Sequence, residues 1–216
     1  MEDHVLHLRK VLSILRKEQL FAKLSNCSFG QPKVEYLGHI ISGEGVSTDP
    51  SKIEAMANWP TPKSVKDLKG FLGLTGYYKR FVKSYGVISR PLTNLLKKNG
   101  FHWDVDFEAA FQALKEAMTT AHVLALADFN KHFVVETDAC SSRMGAILMQ
   151  QGKPIAFFSK ALAPRHMGLS TYEKEYMAVL SAVDKWRHYL QGYHFIIRTD
   201  HQSLKYLLEQ RITTAL

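Results

Sequence analysis

The spacing of apolar residues changes along this chain, and that change limits the possible folds more than any other feature. Up to Met118 most apolar residues recur at helical spacing, whereas farther along they alternate as in β-strands. The elements predicted after the change are strands at 133–138, 145–150 and 154–159, a helix from Ser170 to Gly192, a strand at 193–199 and the start of a helix at 203–208. This order predicts an α/β fold with a mixed β-sheet.

Three acidic residues occupy informative places in this pattern. Asp138 and Asp200 each end a predicted strand, and Glu175 lies in the first turns of the helix between them. A helical crossover makes the two strands parallel neighbours, while the first strand pairs antiparallel on its other side. The seam between the acid-bearing strands is therefore a switch point, where open α/β sheets bind ligands.

Three carboxylates that converge without a basic partner require a cation. Oxygen ligands suit Mg²⁺ or Mn²⁺, and two such ions can activate water and neutralise a scissile phosphate. Each acid also has an ordinary explanation: strand-end aspartates are often turn residues, and Glu175 can be solvated helix surface. Glu173 is better explained as the capping-box partner of Ser170. Only the joint placement favours phosphodiester hydrolysis.

The first half of the chain is predicted to be mainly helical. The predicted elements are an amphipathic helix at 3–24, a β-hairpin at 33–46, a helix from Asp49-Pro50 to Asn58, and helices at 65–84 and 107–118. The helix at 65–84 contains Gly70, Gly73 and Gly76, and each glycine costs about 1 kcal/mol relative to alanine. Close helix packing, or the approach of another backbone or a phosphate chain, would explain them equally well.

Charge is distributed unevenly. Residues 1–98 contain 16 Lys and Arg against 8 Asp and Glu, and residues 99–216 contain 12 of each. A basic surface favours a polyanionic partner. No run of 18 apolar residues and no secretory signal is present, and Cys27 and Cys140 lack companions at metal-ligand spacing. These features predict an intracellular chain with reduced thiols and no membrane segment.

Several motifs occur together in a familiar order. The segments ETDACSSRMGAILMQ, STYEKEYMAVLSAVDKWRHYLQG and FIIRTDHQSLKYL closely resemble the ribonuclease H domain of gypsy-type long-terminal-repeat retrotransposon Pol polyproteins. Upstream, VEYLGHIISGEGVSTDPSKIEAMANWPTP is similar to the end of their polymerase palm, and SVKDLKGFLGLTGYYKRFV to their thumb. The resemblance covers essentially the whole chain. It implies a palm end at 1–48, a helical thumb at 49–98, a connection at 99–129 and a ribonuclease H-like domain at 130–216.

The resemblance also implies roles for particular residues. Cleavage of the RNA strand of an RNA–DNA hybrid would depend on three ligands of a pair of Mg²⁺ or Mn²⁺ ions: Asp138, Glu175 and Asp200. The expected nucleic-acid contacts are the primer grip Leu37, Gly38 and His39, the thumb cations Lys66, Lys69, Lys79, Arg80 and Lys83, and Gln202 with the 139–142 loop near the minor groove.

Two departures from the family pattern shape the expected function. The polymerase motif with paired aspartates is absent, and the ribonuclease H-like part is expected to stop before its last strand, last helix and fourth acid. The sequence therefore predicts a fragment whose partner is the remainder of a Pol polyprotein. A non-catalytic nucleic-acid-binding module derived from such an element, or a remnant without a role, are the alternatives.

Overall fold

The computed structural model describes residues 2–97, 101–201 and 204. Its helices are α1 (Glu2–Lys17), α2 (Pro50–Ala57), α3 (Val65–Tyr77), α4 (Tyr85–Ile88), α5 (Arg90–Leu95), α6 (Val105–Thr119), α7 (Pro164–Met167), α8 (Thr171–Lys185) and α9 (Arg187–Leu190), with 3-10 turns at Leu24–Asn26 and Lys79–Phe81. Its strands are β1 (Lys33–Tyr36), β2 (His39–Ser42), β3 (Gly45–Thr48), β4 (Phe133–Ala139), β5 (Arg143–Gln150), β6 (Lys153–Ala161) and β7 (Phe195–Arg198). The mixed α/β class is confirmed.

The first sheet is an antiparallel meander of β1, β2 and β3, one strand more than the predicted hairpin. Leu37 and Gly38, both with positive φ, form the two-residue turn between β1 and β2 that such hairpins favour. The backbone of Val46 exchanges two hydrogen bonds with that of Leu124, at 2.7 and 2.8 Å. The meander is thereby fixed to the segment that leads into the second sheet.

Two helices of the first half begin where their capping residues predict. Asp49 accepts a 2.8 Å hydrogen bond from the N–H of Ser51, and Ser64 accepts one of 3.2 Å from the N–H of Asp67. The predicted helix at 65–84 is wrong in length, because α3 ends at Tyr77. Beyond it a 3-10 turn and the left-handed Ser84 redirect the chain, which carries the side chain of Phe81 into the core.

Helix α1 ends at Lys17, short of the predicted residue 24, and contains no buried residue. Its apolar side chains stay in solvent; Leu6, for example, is 61% exposed. The amphipathic pattern is real, but within the described chain nothing covers the apolar face.

Most buried apolar residues of the first half form one core. It joins α2, α3, α5 and α6 and extends to Phe157 of β6. Phe71 and Phe111 lie at its centre with ring centroids 4.6 Å apart and no exposed surface. Burial of one such phenylalanine contributes about 1.5–3 kcal/mol.

The second sheet has the strand order β6-β5-β4-β7. Strands β4 and β5 are antiparallel, whereas β4 and β7 are parallel, so the predicted reversal at the seam is confirmed. One face of the sheet packs on α8 and α9 through a second core that includes Val135, Leu148, Ala182 and Trp186.

The helix predicted to run from Ser170 to Gly192 is two helices. Its start is confirmed, because Ser170 and Glu173 form a complete capping box. Trp186 interrupts it with φ −107° and ψ 20°, and its indole is buried against the sheet. The predicted strand at 193–199 is limited to β7. The helix expected at 203–208 and Gln202 lie outside the described residues, apart from Leu204.

Candidate functional site

The two strand-end aspartates meet at one edge of the second sheet. Glu136 of β4 is paired in parallel register with Arg198 of β7. Two residues farther along the chain lie Asp138, still in β4, and Asp200, just beyond the end of β7. Both are exposed, and both line one cavity of about 640 Å³. Because residues two apart on a strand face the same side, Glu136 and Arg198 line that cavity too.

Glu175 of α8 does not line this cavity but lies beside the end of β4. Its side chain is 2% exposed, and Oε1 accepts a 2.9 Å hydrogen bond from the N–H of Ala139, the residue after Asp138. Oε2 is also buried and has no hydrogen-bond partner among the described residues. A buried carboxylate with one unsatisfied oxygen is unfavourable and needs a positive partner.

The electrostatic state of Glu175 reflects all three acids. Burial is the main effect that raises the pKa of its carboxyl, and the negative charges of Asp200 and Asp138 raise it further. The hydrogen bond from Ala139 and the nearby His201 oppose the rise. Both aspartates are therefore near enough to Glu175 to disfavour its charged form.

The residues fit a hard divalent cation in chemistry. All the available donors are carboxylate oxygens, and the orphaned Oε2 of Glu175 is the kind of atom that an oxygen-seeking ion satisfies. Across residues 2–97, 101–201 and 204, however, no three His, Cys, Asp or Glu side chains stand in an arrangement that could hold a metal ion. The acids are electrostatically coupled without being drawn together as a ligand set.

Among the residues that the structure describes, three cations border the carboxylate cavity: Lys83, Arg143 and Arg198. Lys83 was predicted to act with the other thumb cations, yet it lies with the acids. The sequence interpretation missed Arg143 and Arg198. For Arg198 a signal existed, because strand alternation places it on the same side as Asp200. No comparable signal identified Arg143, which follows the 139–142 loop.

The predicted primer-grip residues contact Tyr77 and Tyr78, and we call these five residues the aromatic cluster. The hydroxyls of Tyr77 and Tyr78 donate 2.9 Å hydrogen bonds to the carbonyls of Leu37 and Gly38, respectively. The ring of His39 stacks on Tyr77, with centroids 5.5 Å apart and planes 7° from parallel. Burial lowers the pKa of His39, and the charge of Arg80 lowers it further.

The remaining predicted cations lie in two separate places. Lys66 and Lys69 are exposed on α3, on the same helix side as Gly70 and Gly73. Lys79 and Arg80 lie on the 3-10 turn and border a different cavity. The contact of these cations with nucleic acid stays a prediction.

The glycines of α3 do not share one function. A Cβ on Gly70 would contact the ring of Trp59 at 3.4 Å, and one on Gly76 would contact the hydroxyl of Tyr85 at 3.5 Å. At Gly73, no atom of the described part of the chain lies within 4 Å of where a Cβ would be. Helix packing accounts for the first two glycines, and Gly73 leaves the backbone of α3 open to solvent.

No helix in the described ranges combines the length and the apolar character needed to cross a bilayer.

Comparison with known proteins agrees with this architecture. Residues 103–197 match the family model described as the RNase H-like domain found in reverse transcriptase. The retrovirus-related Pol polyprotein from transposon 297 of Drosophila melanogaster is 36% identical over 209 residues, which are 96% of this chain and 20% of that protein. The corresponding polyprotein from transposon gypsy is 37% identical over 227 residues, 99% of this chain and 22% of that protein.

A shorter relative is covered more fully. An uncharacterized mitochondrial protein of Arabidopsis thaliana is 58% identical over 130 residues, which are 59% of this chain and 82% of that protein. By contrast, the chain spans about a fifth of the length of the Pol polyproteins that it matches.

Solved structures show the same fold. The foamy viral protease-reverse transcriptase in complex with RNA/DNA hybrid superposes with a TM-score of 0.87 at 22% identity, covering 100% of this chain and 31% of that chain. Its complex with dsDNA gives a TM-score of 0.85 at 22% identity, covering 99% of this chain and 46% of that one.

Proposed function

Because the chain belongs to the retrovirus-related Pol polyproteins of long-terminal-repeat retrotransposons and contains their RNase H-like domain, we propose that it hydrolyses the RNA strand of RNA–DNA hybrids. The proposed catalytic residues are Asp138, Glu175 and Asp200, and the proposed cofactor is a pair of Mg²⁺ or Mn²⁺ ions. A structural neighbour that was solved with an RNA/DNA hybrid supports this substrate class.

One observation supports the proposal above all. Glu175 is buried beside two other acids, with one oxygen held by the Ala139 N–H and the other without a partner among the described residues. A stable fold tolerates such an arrangement at a cost, since burying a charge next to like charges is unfavourable. Divalent cation binding would offset that cost.

The protein's own residues prepare the site. The Ala139 N–H fixes the orientation of the Glu175 carboxylate, while Asp138 and Asp200 present exposed oxygens at the same sheet edge. Lys83, Arg143 and Arg198 border the cavity, where they would pair with phosphates that flank the scissile one. Bound Mg²⁺ or Mn²⁺ would supply Lewis-acid neutralisation of the phosphate and activation of a water.

The first half would position the substrate. Lys66 and Lys69 are exposed on α3 beside Gly73, where no atom of the described residues lies within 4 Å of a built Cβ. Phosphate contacts of this kind fix the register of a duplex without reading its sequence. The Leu37–His39 turn, held by Tyr77 and Tyr78, would hold one strand nearby.

We propose that the remainder of the polyprotein packs against the apolar face of α1. This helix contains no buried residue, and its exposed apolar side chains include Leu6, Val11 and Ile14. An exposed apolar face of this size normally belongs to an interface. The matched polyproteins are about five times longer than the chain, so they contain ample partner surface.

The test is cleavage of an end-labelled RNA–DNA hybrid in Mg²⁺. The wild-type chain should cleave the RNA strand, and both Asp138→Asn and chelation by EDTA should abolish cleavage. Asp184→Asn is the matched control, since Asp184 is an exposed acid on α8 paired with Arg187. Equal cleavage by wild-type and Asp138→Asn chains would refute the assignment.

A second candidate function is nucleic-acid binding without catalysis. It is favoured by the basic first half of the chain, where residues 1–98 contain 16 Lys and Arg against 8 Asp and Glu. This function predicts hybrid binding that weakens steeply with salt, and no metal-dependent cleavage.

A further inference from the structure

A second cavity, separate from the carboxylate site, lies between the 3-10 turn at Lys79–Phe81 and the junction of α8 with α9. It has a volume of about 310 Å³, and strand β6 forms its floor. Four basic side chains and several aromatic rings line it, and none of its described lining residues is Asp or Glu. We call it the basic-aromatic groove; its basic residues are Lys79, Arg80, Lys185 and His188.

The positive charge of this groove is not compensated. Among the described residues no carboxylate forms an ion pair with Lys79, Arg80 or Lys185. The acid nearest in sequence, Asp184, is held 2.7 Å from Arg187 instead. Residues 1–98, which supply Lys79 and Arg80, have an excess of Lys and Arg, whereas residues 99–216, which supply Lys185, have equal numbers of acidic and basic residues. The fold therefore brings basic residues from both halves of the chain to one groove. Such concentrated charge favours a polyanion.

The aromatic rings are held in fixed positions. Tyr77 is 54% exposed, yet His39 stacks on one side of its ring. The Tyr77 hydroxyl also donates a hydrogen bond to the carbonyl of Leu37. On the opposite wall, the rings of His188 and Tyr189 have centroids 4.4 Å apart. Partly exposed rings that are already immobilised can stack on a flat ligand with little further loss of conformational entropy.

Basic side chains and partly exposed aromatic rings together favour one class of ligand. Backbone phosphates need the cations, and flat bases need the rings, as in proteins that bind single-stranded nucleic acid. The bases of a duplex are stacked inside the helix and cannot reach Tyr77 or Tyr189. A pocket of about 300 Å³ is also at the small end of ligand sites, a size for one nucleotide and not for a duplex.

We infer that the basic-aromatic groove binds an unpaired nucleic-acid strand, with phosphates on Lys79, Arg80 and Lys185 and a base against the aromatic rings. Residues 157–159 of β6 border both this groove and the carboxylate cavity. A strand that leaves the hydrolysis site can therefore continue into the groove. The inference goes beyond the proposed hydrolysis and holds for a chain that binds without cleaving.

The first experiment measures binding of a fluorescein-labelled 12-residue oligothymidylate to the full chain by anisotropy in EDTA. Because EDTA removes the metal, this result is independent of hydrolysis. The double variant Lys79→Ala, Lys185→Ala should bind roughly tenfold more weakly and show a smaller salt slope, by about 0.7 for each phosphate that is no longer neutralised. The matched control is Lys52→Ala, Lys153→Ala, which removes equal charge from exposed lysines elsewhere. An equal weakening in both double variants would overturn the inference.

The second experiment tests base stacking. The wild-type chain should bind oligothymidylate roughly tenfold more tightly than an abasic strand of equal length. Tyr189→Leu should remove this preference and Tyr189→Phe should retain it, with circular dichroism confirming that both variants are folded. Equal binding of the abasic strand by the wild-type chain contradicts the inference. So does competition by polyglutamate as strong as that by oligothymidylate, since the groove would then accept any polyanion.

Discussion

The backbone N–H of Gly86 donates a 2.7 Å hydrogen bond to Oγ of Ser159, a residue 73 positions farther along the chain. This bond joins α4 of the helical half to β6 of the second sheet. A Cβ at Gly86 would lie 2.5 Å from the carbonyl oxygen of Ser159, closer than any side chain allows. The lack of a side chain at Gly86 is therefore what lets the two halves meet, and Ser159 borders both the carboxylate cavity and the basic-aromatic groove.

Gly86→Ala should destabilise the protein. The added methyl would force α4 away from β6, and overpacking of this kind costs about 1–3 kcal/mol. Urea denaturation gives the free energy of unfolding. Gly73→Ala is the control, since that position has open space and alanine favours a helix by up to about 1 kcal/mol. If Gly86→Ala proved as stable as Gly73→Ala, the close contact would be disproved.

Glu175→Gln should stabilise the chain in EDTA at neutral pH. The folded state raises the pKa of Glu175, so its contribution to stability is largest at low pH and is lost as pH rises through the raised pKa. The neutral amide of glutamine still accepts the hydrogen bond from Ala139 and avoids the buried charge. The free energy of unfolding should therefore rise by about 1 kcal/mol at pH 7, and this gain should vanish below about pH 4.5.

Glu173→Gln is the comparison for that experiment. The bonds from Ser170 lower the pKa of Glu173, so its charge stabilises the folded state above the unfolded pKa. This variant should be less stable than wild type at pH 7, the opposite sign from Glu175→Gln. Urea midpoints at pH 7 and pH 4 distinguish the two, and the same sign for both would contradict the electrostatic interpretation.

Mg²⁺ or Mn²⁺ should raise the melting temperature of the wild-type chain. A ligand that binds only the folded state adds about 1.4 kcal/mol at a free concentration tenfold above its Kd. Thermal denaturation with and without the ion should show the shift in wild type and in Asp184→Asn. Asp138→Asn and Glu175→Gln should show little shift, and a full shift in either would place the bound ion elsewhere.

His39 should make the chain less stable in mild acid. Its pKa is lowered in the folded state, so the neutral imidazole is favoured and the contribution is complete above about pH 6.5. It is lost as the pH falls below 6.5 toward the lowered pKa, because the unfolded chain then binds the proton more readily. Urea midpoints between pH 7.5 and 5.5 should fall less in His39→Phe, which keeps a ring against Tyr77.

His102→Phe is the control for His39, since His102 is an exposed histidine outside the aromatic cluster. That variant should retain the acid sensitivity of the wild type. A wild-type pH dependence that persisted unchanged in His39→Phe would assign the effect to another histidine.

Elements set by neighbouring residues were predicted well from the sequence. Alternating apolar residues identified β4, β5 and β6, and the pair Ser170 and Glu173 identified the start of α8, because side-chain alternation and capping act over a few residues. The parallel pairing of β4 with β7 also followed, since a helical crossover leaves few alternatives. The roles of Asp138, Glu175 and Asp200 stay predictions until cleavage is measured.

What the sequence alone determined is the order and type of these elements, and with them the approach of Asp138 to Asp200 at one sheet edge. Only the tertiary structure decided that α3 ends at Tyr77, that Trp186 divides the long helix, and that Lys79 and Lys185 face one groove. The physical reason is the distance along the chain over which each interaction acts. Backbone preference and capping are decided within one or two turns of chain, whereas burial, charge repulsion and close approach depend on surfaces that meet only after folding.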